Sequence, residues 1–396
     1  MTQSRYNNIA DPALARIMDR YPGIDDLARK ARRRIPNVAW QYLESGTGRE
    51  EAIVRNREAL DRITMVPRFI RGTMDTDLET EFLGKRYAAP FGIAPMGLCG
   101  LVWPDCERIL ARSAKKYRIP YTLSTVATQT PEIIGPEVGD MGWFQLYPPK
   151  DPVIRETMLK RAWDTGFHTL IVTADVPMPS RRENSRKSGL TLPPRFTPKM
   201  IWEGATHPAW SLKILQHGLP RLRFVESFSP KKDLKSAANY ARFNFRGDLD
   251  WDYIRTVRDL WPGPILLKGL LHPADARQAI DQGIDGVIVS NHGGRQFDGA
   301  PAAIDALPEV VAELKGRAPV VFDSGIRTGL DILRGLALGA DFVLMGRPYL
   351  YGVAALGAAG GDHVNNIFLE DLINNMKQLG ILRPQEAAAA LAVEPG

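Results

Sequence analysis

The chain's 396 residues, 44% of them hydrophobic, can form two average domains or one α/β barrel with additions. No run of about 18 apolar residues occurs, which excludes a simple membrane-crossing helix, and the polar stretch Met1 to Asp11 lacks the apolar core of a secretory signal. Fifty-one basic against 45 acidic side chains leave a charge of +6, which is compatible with nucleic acid, an anionic membrane surface, an acidic substrate or no specific partner.

Two cysteines, Cys99 and Cys106, give neither a disulfide framework nor a metal spacing, and they fit a reducing, cytoplasmic setting. With no helix-turn-helix, zinc-finger or aromatic single-strand motif, a nucleic-acid partner is not expected.

Residues 1–87 read as a helical segment packing on the remainder of the chain. Asp25 or Asp26 can cap a helix running through Arg34, Pro36 breaks it, and Asn37 can cap a second helix, Val38 to Glu44, that stops at Gly46. On that second helix Trp40 and Tyr42 are two apart and cannot share a face. The pattern alone assigns Tyr42 to packing.

From residue 88 short apolar runs alternate with helical stretches. The runs are Phe91 to Met96, Tyr121 to Val126, Gly142 to Leu146, Thr169 to Ala174, Pro264 to Leu267, Gly286 to Val289, Pro319 to Phe322 and Asp341 to Met345. Between them lie Pro104 to Tyr117, Ile154 to Thr165, Pro273 to Gln282 and Gly329 to Leu338, with helix-like apolar spacing. Eightfold alternation predicts a (β/α)8 TIM barrel over residues 88–380, with a doubly wound sheet as the alternative. Residues 381–396 form a tail whose Ala387 to Ala390 reads as short helix or disorder.

In such a barrel chemistry belongs at the carboxyl ends of the strands. Those ends carry Pro95-Met96-Gly97, Ser124-Thr125, Gln145-Leu146-Tyr147, Thr173-Ala174-Asp175 and Lys268-Gly269. The sixth strand runs into Ser290-Asn291-His292-Gly293-Gly294-Arg295-Gln296. Two glycines there permit a tight turn against a flat ligand, His292 can hold or release a proton near neutral pH, and Arg295 offers a fork for a carboxylate. The seventh and eighth strands end in Asp323-Ser324-Gly325-Ile326-Arg327 and Gly346-Arg347. Barrel phosphates commonly bind there, so a phosphorylated cofactor is expected.

One connection is out of proportion. The insertion 177–263 follows the fourth strand, and loops of that length are usually functional or disordered. Near its start Ser180-Arg181-Arg182-Glu183 places a guanidinium by the barrel mouth. In its middle Arg195, Lys199, Lys213, Arg221, Arg223, Lys231, Lys232 and Lys235 interleave with Trp202, Trp210, Leu212, Ile214, Leu215 and Phe224.

The Ser290 to Gln296 motif, with Leu267-Lys268-Gly269 before it and Asp323 to Arg327 after it, resembles the FMN-dependent L-2-hydroxy acid dehydrogenases and oxidases over roughly residues 20–380. That family includes glycolate oxidase, L-lactate dehydrogenase and mandelate dehydrogenase. The resemblance implies His292 as catalytic base with Asp175 beside it, Arg295 and Arg182 on the substrate carboxylate, and Tyr42 and Tyr147 near the substrate. Beside Arg182, Arg181 leaves that register open.

For the cofactor FMN it implies Pro95, Met96 and Gly97 by backbone. Ser124, Gln145, Thr173, Lys268 and Ser290 fall around the ring and ribityl chain, and Asp323, Ser324, Gly325, Ile326, Arg327, Gly346 and Arg347 at the phosphate. No metal is implied, and a homotetramer is.

Val126 stands where glycolate oxidase has tryptophan, implying a wider pocket and an acid bulkier than glycolate. Gly97 matches mandelate dehydrogenase rather than the many oxidases with alanine. Thr206 to Leu212 looks like the membrane-attaching segment of mandelate dehydrogenase. These likenesses point to a dehydrogenase that passes electrons to a quinone-type acceptor, peripheral on the cytoplasmic face of the membrane. An oxygen-reducing oxidase, another FMN barrel such as an isomerase, and a non-catalytic phosphate-binding barrel are the alternatives.

Overall fold

Eight short strands pair in parallel and close on themselves. The structure, a computed structural model, describes residues 12–190, 197–245 and 249–392. After an antiparallel ribbon of β1 (Thr80–Phe82) and β2 (Lys85–Tyr87) come β3 (Phe91–Met96), β4 (Tyr121–Ser124), β5 (Gly142–Leu146) and β6 (Thr169–Thr173). The circuit continues through β7 (Ile265–Leu270), β8 (Gly286–Val289), β9 (Val320–Asp323) and β10 (Phe342–Met345), and β10 returns to pair with β3. Closure rules out the doubly wound sheet. The strands read as unbroken apolar runs because helices cover them outside and side chains fill them inside.

The two ends of the barrel differ. At the amino ends Phe82 and Tyr87 of the ribbon pack on Trp143 of β5 and Phe342 of β10, with ring centroids 4.8–6.1 Å apart. Trp143 Nε1 donates to the Tyr87 hydroxyl at 3.0 Å. This aromatic plug leaves the carboxyl ends as the accessible face. There the pairing register shifts between Ile93 and Met96 and again between Lys268 and Leu270, irregularities of the kind that re-aim side chains. The second lets β7 run three residues past the predicted Leu267.

The amino-terminal helices are α1 (Pro12–Arg20), α2 (Ile24–Arg34), α3 (Asn37–Glu44) and α4 (Glu51–Arg62). Their caps differ from expectation. Gly23 caps α2, and Asp26 sits inside the first turn with its carboxylate accepting Gly23 N at 3.1 Å. Pro36, not Asn37, occupies the cap of α3, because its fixed φ already suits the extended residue before a helix.

The long connection is mostly helical, and its aromatic residues divide between two environments. Trp210 and Phe224 are buried, and Trp210 Nε1 donates to Leu101 O at 3.0 Å. Trp202, Leu212 and Leu215 stay exposed on the helices Pro198–Thr206 and Pro208–His217. Arg195 lies outside the described residues. Among those described, no helix is long and apolar enough to cross a membrane. The alanine-rich tail forms a 3₁₀ helix, Pro384–Ala390, with Ala387 and Ala390 buried and Val66 N donating to Ala390 O at 2.7 Å.

Candidate active site

A cavity of about 260 Å³ opens at the carboxyl ends of the barrel strands. Beside it the turn after β8 holds three consecutive residues in the left-handed region, His292 at φ 57°, Gly293 at 64° and Gly294 at 76°. For a histidine this conformation costs on the order of 1–3 kcal/mol and survives only where the surroundings dictate it. They do. Ser290 Oγ accepts His292 N at 3.0 Å, Ser324 Oγ accepts Gly293 N at 3.0 Å, and Arg347 Nη1 donates to Gly293 O at 2.9 Å.

The strain aims the imidazole. Nδ1 of His292 lies 2.9 Å from Asp175 Oδ1, and an ionised carboxylate there requires the proton on Nδ1, leaving Nε2 free to accept one. Gly269, at φ 102°, allows this approach, since a Cβ on it would fall 2.5 Å from Asp175 Cγ. Burial pushes the His292 pKa below the ordinary value, with Lys268 and Arg182 adding to it and Asp175 opposing. Burial opposes ionisation of Asp175, yet His292 and Lys268 outweigh it and hold the carboxyl below its ordinary range. The resting pair at neutral pH is therefore a neutral base beside a charged carboxylate.

A polar row crosses the strand ends. Ser124 Oγ donates to Gln145 Oε1 at 2.7 Å, and Gln145 Nε2 donates to Thr173 Oγ1 at 2.9 Å. Lys268 Nζ, nearly fully buried, sits 2.8 Å from Ser290 Oγ and 3.3 Å from Asp323 Oδ2. Burial lowers the Lys268 pKa, but Asp323 and Asp175 more than offset that and keep it above the ordinary value. Lys268 thus lines the cavity as an ammonium at neutral pH.

Two tyrosines and two arginines, Tyr42, Tyr147, Arg182 and Arg295, share the cavity lining. Tyr42 on α3 donates its hydroxyl to Gly97 O at 2.6 Å, while Trp40 faces away and stacks on Tyr351 at 6.0 Å. Arg295 Nη2 donates to Tyr42 O at 2.9 Å and to Leu43 O, its guanidinium 5.8 Å from the Tyr42 ring centroid. The neighbouring pair of arginines divides cleanly: Arg182 lines the cavity, and Arg181 is exposed beside Glu183 at 3.4 Å. Burial raises both Tyr42 and Tyr147 to about 12, so each remains a hydroxyl donor. Burial, with Arg347 and Arg182 close by, pushes Arg295 down to about 9. An anionic ligand relieves such crowding.

Ser324 at φ 91° and Gly325 at 95° bend the loop after β9, and Gly346 precedes the helix Arg347–Leu356. Arg327 lies 5.6 Å over the Tyr351 ring. Arg347 is anchored by Nη1 to Gly293 O and by Nη2 to Glu44 O at 3.2 Å, but its buried Nε has no partner. A buried cationic donor without an acceptor, beside a helix amino terminus, fits a phosphate.

Pro95, Met96, Gly97, Val126, Gln145, Tyr147, Thr173 and Ile326 line the cavity with the charged residues above. Ser124, Asp175 and Ser290 stand behind the lining and orient it. Ala94, Leu344, Met345, Pro348 and Leu350 also line it. Their sequence signal is adjacency to the polar strand ends, and apolar side chains there carry no chemical mark of their own. Among the described residues no cluster of His, Cys, Asp and Glu could hold a metal.

Fold and site together define a barrel that binds a phosphorylated cofactor and an acid side by side. A family model described as FMN-dependent dehydrogenase matches residues 31–393. The chain is 37% identical to (S)-mandelate dehydrogenase of Pseudomonas putida over 90% of each chain. It is also 37% identical to L-lactate dehydrogenase of Xanthobacter autotrophicus, over 88% of this chain and 90% of that one. The crystal structure of the monotopic membrane protein (S)-mandelate dehydrogenase superposes with a TM-score of 0.89 at 36% identity, covering 94% of this chain and 99% of that one. The chain belongs to the FMN-dependent dehydrogenase family, within its 2-hydroxy acid dehydrogenases, and FMN is its cofactor.

Proposed function

We propose that this enzyme oxidises an L-2-hydroxy acid bulkier than glycolate to the 2-oxo acid. The observation that carries the reading is the 2.9 Å contact between His292 and Asp175 at the wall of a cavity shared with Arg182 and Arg295. The two guanidinium groups and the Tyr42 and Tyr147 hydroxyls hold the substrate carboxylate and hydroxyl, which fixes its reacting carbon. His292 Nε2 takes a proton from the substrate, and Asp175 stabilises the imidazolium that results.

When bound, FMN would supply a two-electron acceptor. Pro95 to Gly97, Ser124, Gln145, Thr173, Lys268 and Ser290 would hold its ring and ribityl chain, and Asp323 to Arg327, Gly346 and Arg347 its phosphate. The Lys268 ammonium would favour negative charge on the ring. Val126 gives the acid room.

Electrons then pass to a quinone-type acceptor at a membrane surface. Ile201, Trp202, Leu212, Leu215 and Leu219 present exposed apolar side chains beside Lys199 and Lys213, a composition suited to the boundary of an anionic bilayer. Likeness to a monotopic membrane protein supports the same placement.

Anaerobic stopped-flow mixing with glycolate, L-lactate, L-mandelate and longer L-2-hydroxy acids tests the chemistry by bleaching of the flavin. Failure of every acid to bleach it would overturn the reading, and preference for glycolate would overturn the pocket argument. Reoxidation by a soluble quinone should outpace reoxidation by air. Rapid peroxide formation would mark an oxidase.

A further inference from the structure

Helix α4 lies outside the barrel and contributes no residue to the cavity wall, yet it touches both loops on which the chemistry depends. Asn56 and Asn291 form a reciprocal amide pair. Asn56 Nδ2 donates to Asn291 Oδ1 at 2.9 Å, and Asn291 Nδ2 donates to Asn56 Oδ1 at 2.7 Å. Both are buried.

Neither amide can be flipped. Asn56 Oδ1 also accepts Ala303 N at 3.2 Å, while Asn291 Oδ1 accepts Gly294 N at 3.2 Å and Asn291 Nδ2 donates to Pro301 O at 3.0 Å. All these groups lie in the segment that begins with the His292 turn.

The next residue reaches the other loop. Arg57 Nη1 donates to Gly325 O at 2.7 Å and to Asp331 Oδ2 at 2.6 Å. The same Asp331 oxygen accepts Arg327 N at 2.9 Å and Thr328 N at 3.1 Å.

The approach is close on both sides. A Cβ on Gly294 would fall 2.9 Å from Ile53 N, and one on Gly325 would fall 3.1 Å from Asn56 O. Asp298, just past the turn, completes the grip by accepting Arg49 N at 2.8 Å and Ala52 N at 2.9 Å at the start of α4.

We propose that Asn56 and Arg57 are positioning residues that yoke the turn carrying His292 to the loop that cradles the FMN phosphate, so that filling the cradle sharpens the aim of the histidine. The inference rests on the reading of His292 as the base. Adjacent residues of one helix turn cannot move independently, and Gly325 also lies against the α4 backbone at Asn56 O, so displacement of Gly325 is passed through the helix to Asn291. His292 itself is faced by Asp175, Lys268 and Arg182, and its distance from Asp175 is what the yoke sets.

The test compares Asn56→Ala and Arg57→Gln with the native FMN-loaded enzyme, using L-mandelate and L-lactate. Three quantities are read: the dissociation constant of FMN from its fluorescence, the rate of flavin reduction at saturating FMN, and the pH profile of that rate. Asn56→Ala should slow reduction about tenfold and weaken FMN severalfold. It should also move the acid limb of the profile to lower pH, because an imidazole drawn away from Asp175 loses the charge that favours its protonated form.

Arg57→Gln should weaken FMN and still slow reduction when FMN is saturating. If Asn56→Ala does not fold, Arg57→Gln decides alone: native reduction at saturating FMN would overturn the yoke. Native rate, affinity and pH profile in a folded Asn56→Ala would overturn it too. His292→Ala serves as the control. A native rate there sinks the reading of the base, whereas a slow His292→Ala beside two native-like α4 variants sinks the yoke alone.

Discussion

The turn after β8 and the helices Pro198–Thr206 and Pro208–His217 treat their polar and apolar groups in opposite ways. In the turn, His292 N and Gly293 N and O have partners within 3.0 Å, drawn from β8, β9 and β10 or the loops after those strands. In the helices Trp202 is 70% exposed and Leu215 82%. In the described tertiary hydrogen bonds of the pair, Val38 N donates to Glu203 Oε2 at 3.4 Å and Trp210 Nε1 donates to Leu101 O at 3.0 Å. The first region is held so that one imidazole has one direction. The second is built as a surface. Changes to the turn should therefore alter chemistry and leave attachment intact, and changes to the helices should do the reverse.

The largest effect is expected from His292→Ala. It should retain FMN, since the imidazole's hydrogen bond goes to Asp175 and the turn's ties to Ser324 and Arg347 run through Gly293, and lose flavin reduction by at least about a hundredfold, the usual scale for a positioned base. If His292 is the base, as proposed, the active form is the neutral imidazole. Because the pKa of His292 is lowered, reduction should hold through neutral pH and fall only as pH drops below the ordinary histidine range. A plateau that ends above neutrality would contradict this assignment.

Arg295→Lys comes next. Its guanidinium is held by Tyr42 O and Leu43 O and lines the cavity, and an ammonium cannot reproduce the two-pronged carboxylate contact proposed for it. Substrate dissociation constants from the reductive half-reaction should rise about tenfold or more, with FMN affinity unchanged. An unchanged constant would move the carboxylate site away from Arg295.

Much of this site was legible because it lies at strand ends, where a period of apolar residues stops and a titratable residue begins. His292, Lys268 and Asp323 announce themselves in that way. Asn56 did not, since a lone asparagine within a helical stretch has no sequence partner to mark it, and Asn291 lies 235 positions away. Arg182 was separable from Arg181 only by seeing which one faced inward. In the insertion, composition grouped Trp210 with Trp202, although one is core and the other surface. A basic and aromatic run records residue types, and the direction of each helix face depends on neighbours far along the chain.

Val126→Trp tests the pocket with a smaller effect. A Cβ on Gly97 would already fall 2.6 Å from Val126 Cγ2, so an indole has to turn toward the cavity rather than toward β3. The ratio of reduction rates for glycolate over L-mandelate should rise by about tenfold, within the range that pocket volume alone can deliver. A ratio that does not move would mean that Val126 is not the wall that sets acid size.

The smallest kinetic effect is expected where the attachment effect is greatest. Trp202 and Leu215 are exposed, so replacing both by serine removes no core packing, and flavin reduction by L-mandelate should stay within about twofold of native. Flotation with anionic vesicles should fall sharply, because each tryptophan or leucine withdrawn from the headgroup region removes apolar burial that the basic side chains nearby cannot replace. Each of those bases contributes roughly 1 kcal/mol near an anionic surface, and that part is screened by salt. Native protein should therefore float at low salt and less so at high salt, while the Trp202→Ser, Leu215→Ser variant stays in the soluble fraction at both. If the native protein also remains soluble at low salt, these helices are a lid over the barrel and not a membrane surface, and the assignment of His292 and Arg295 is unaffected.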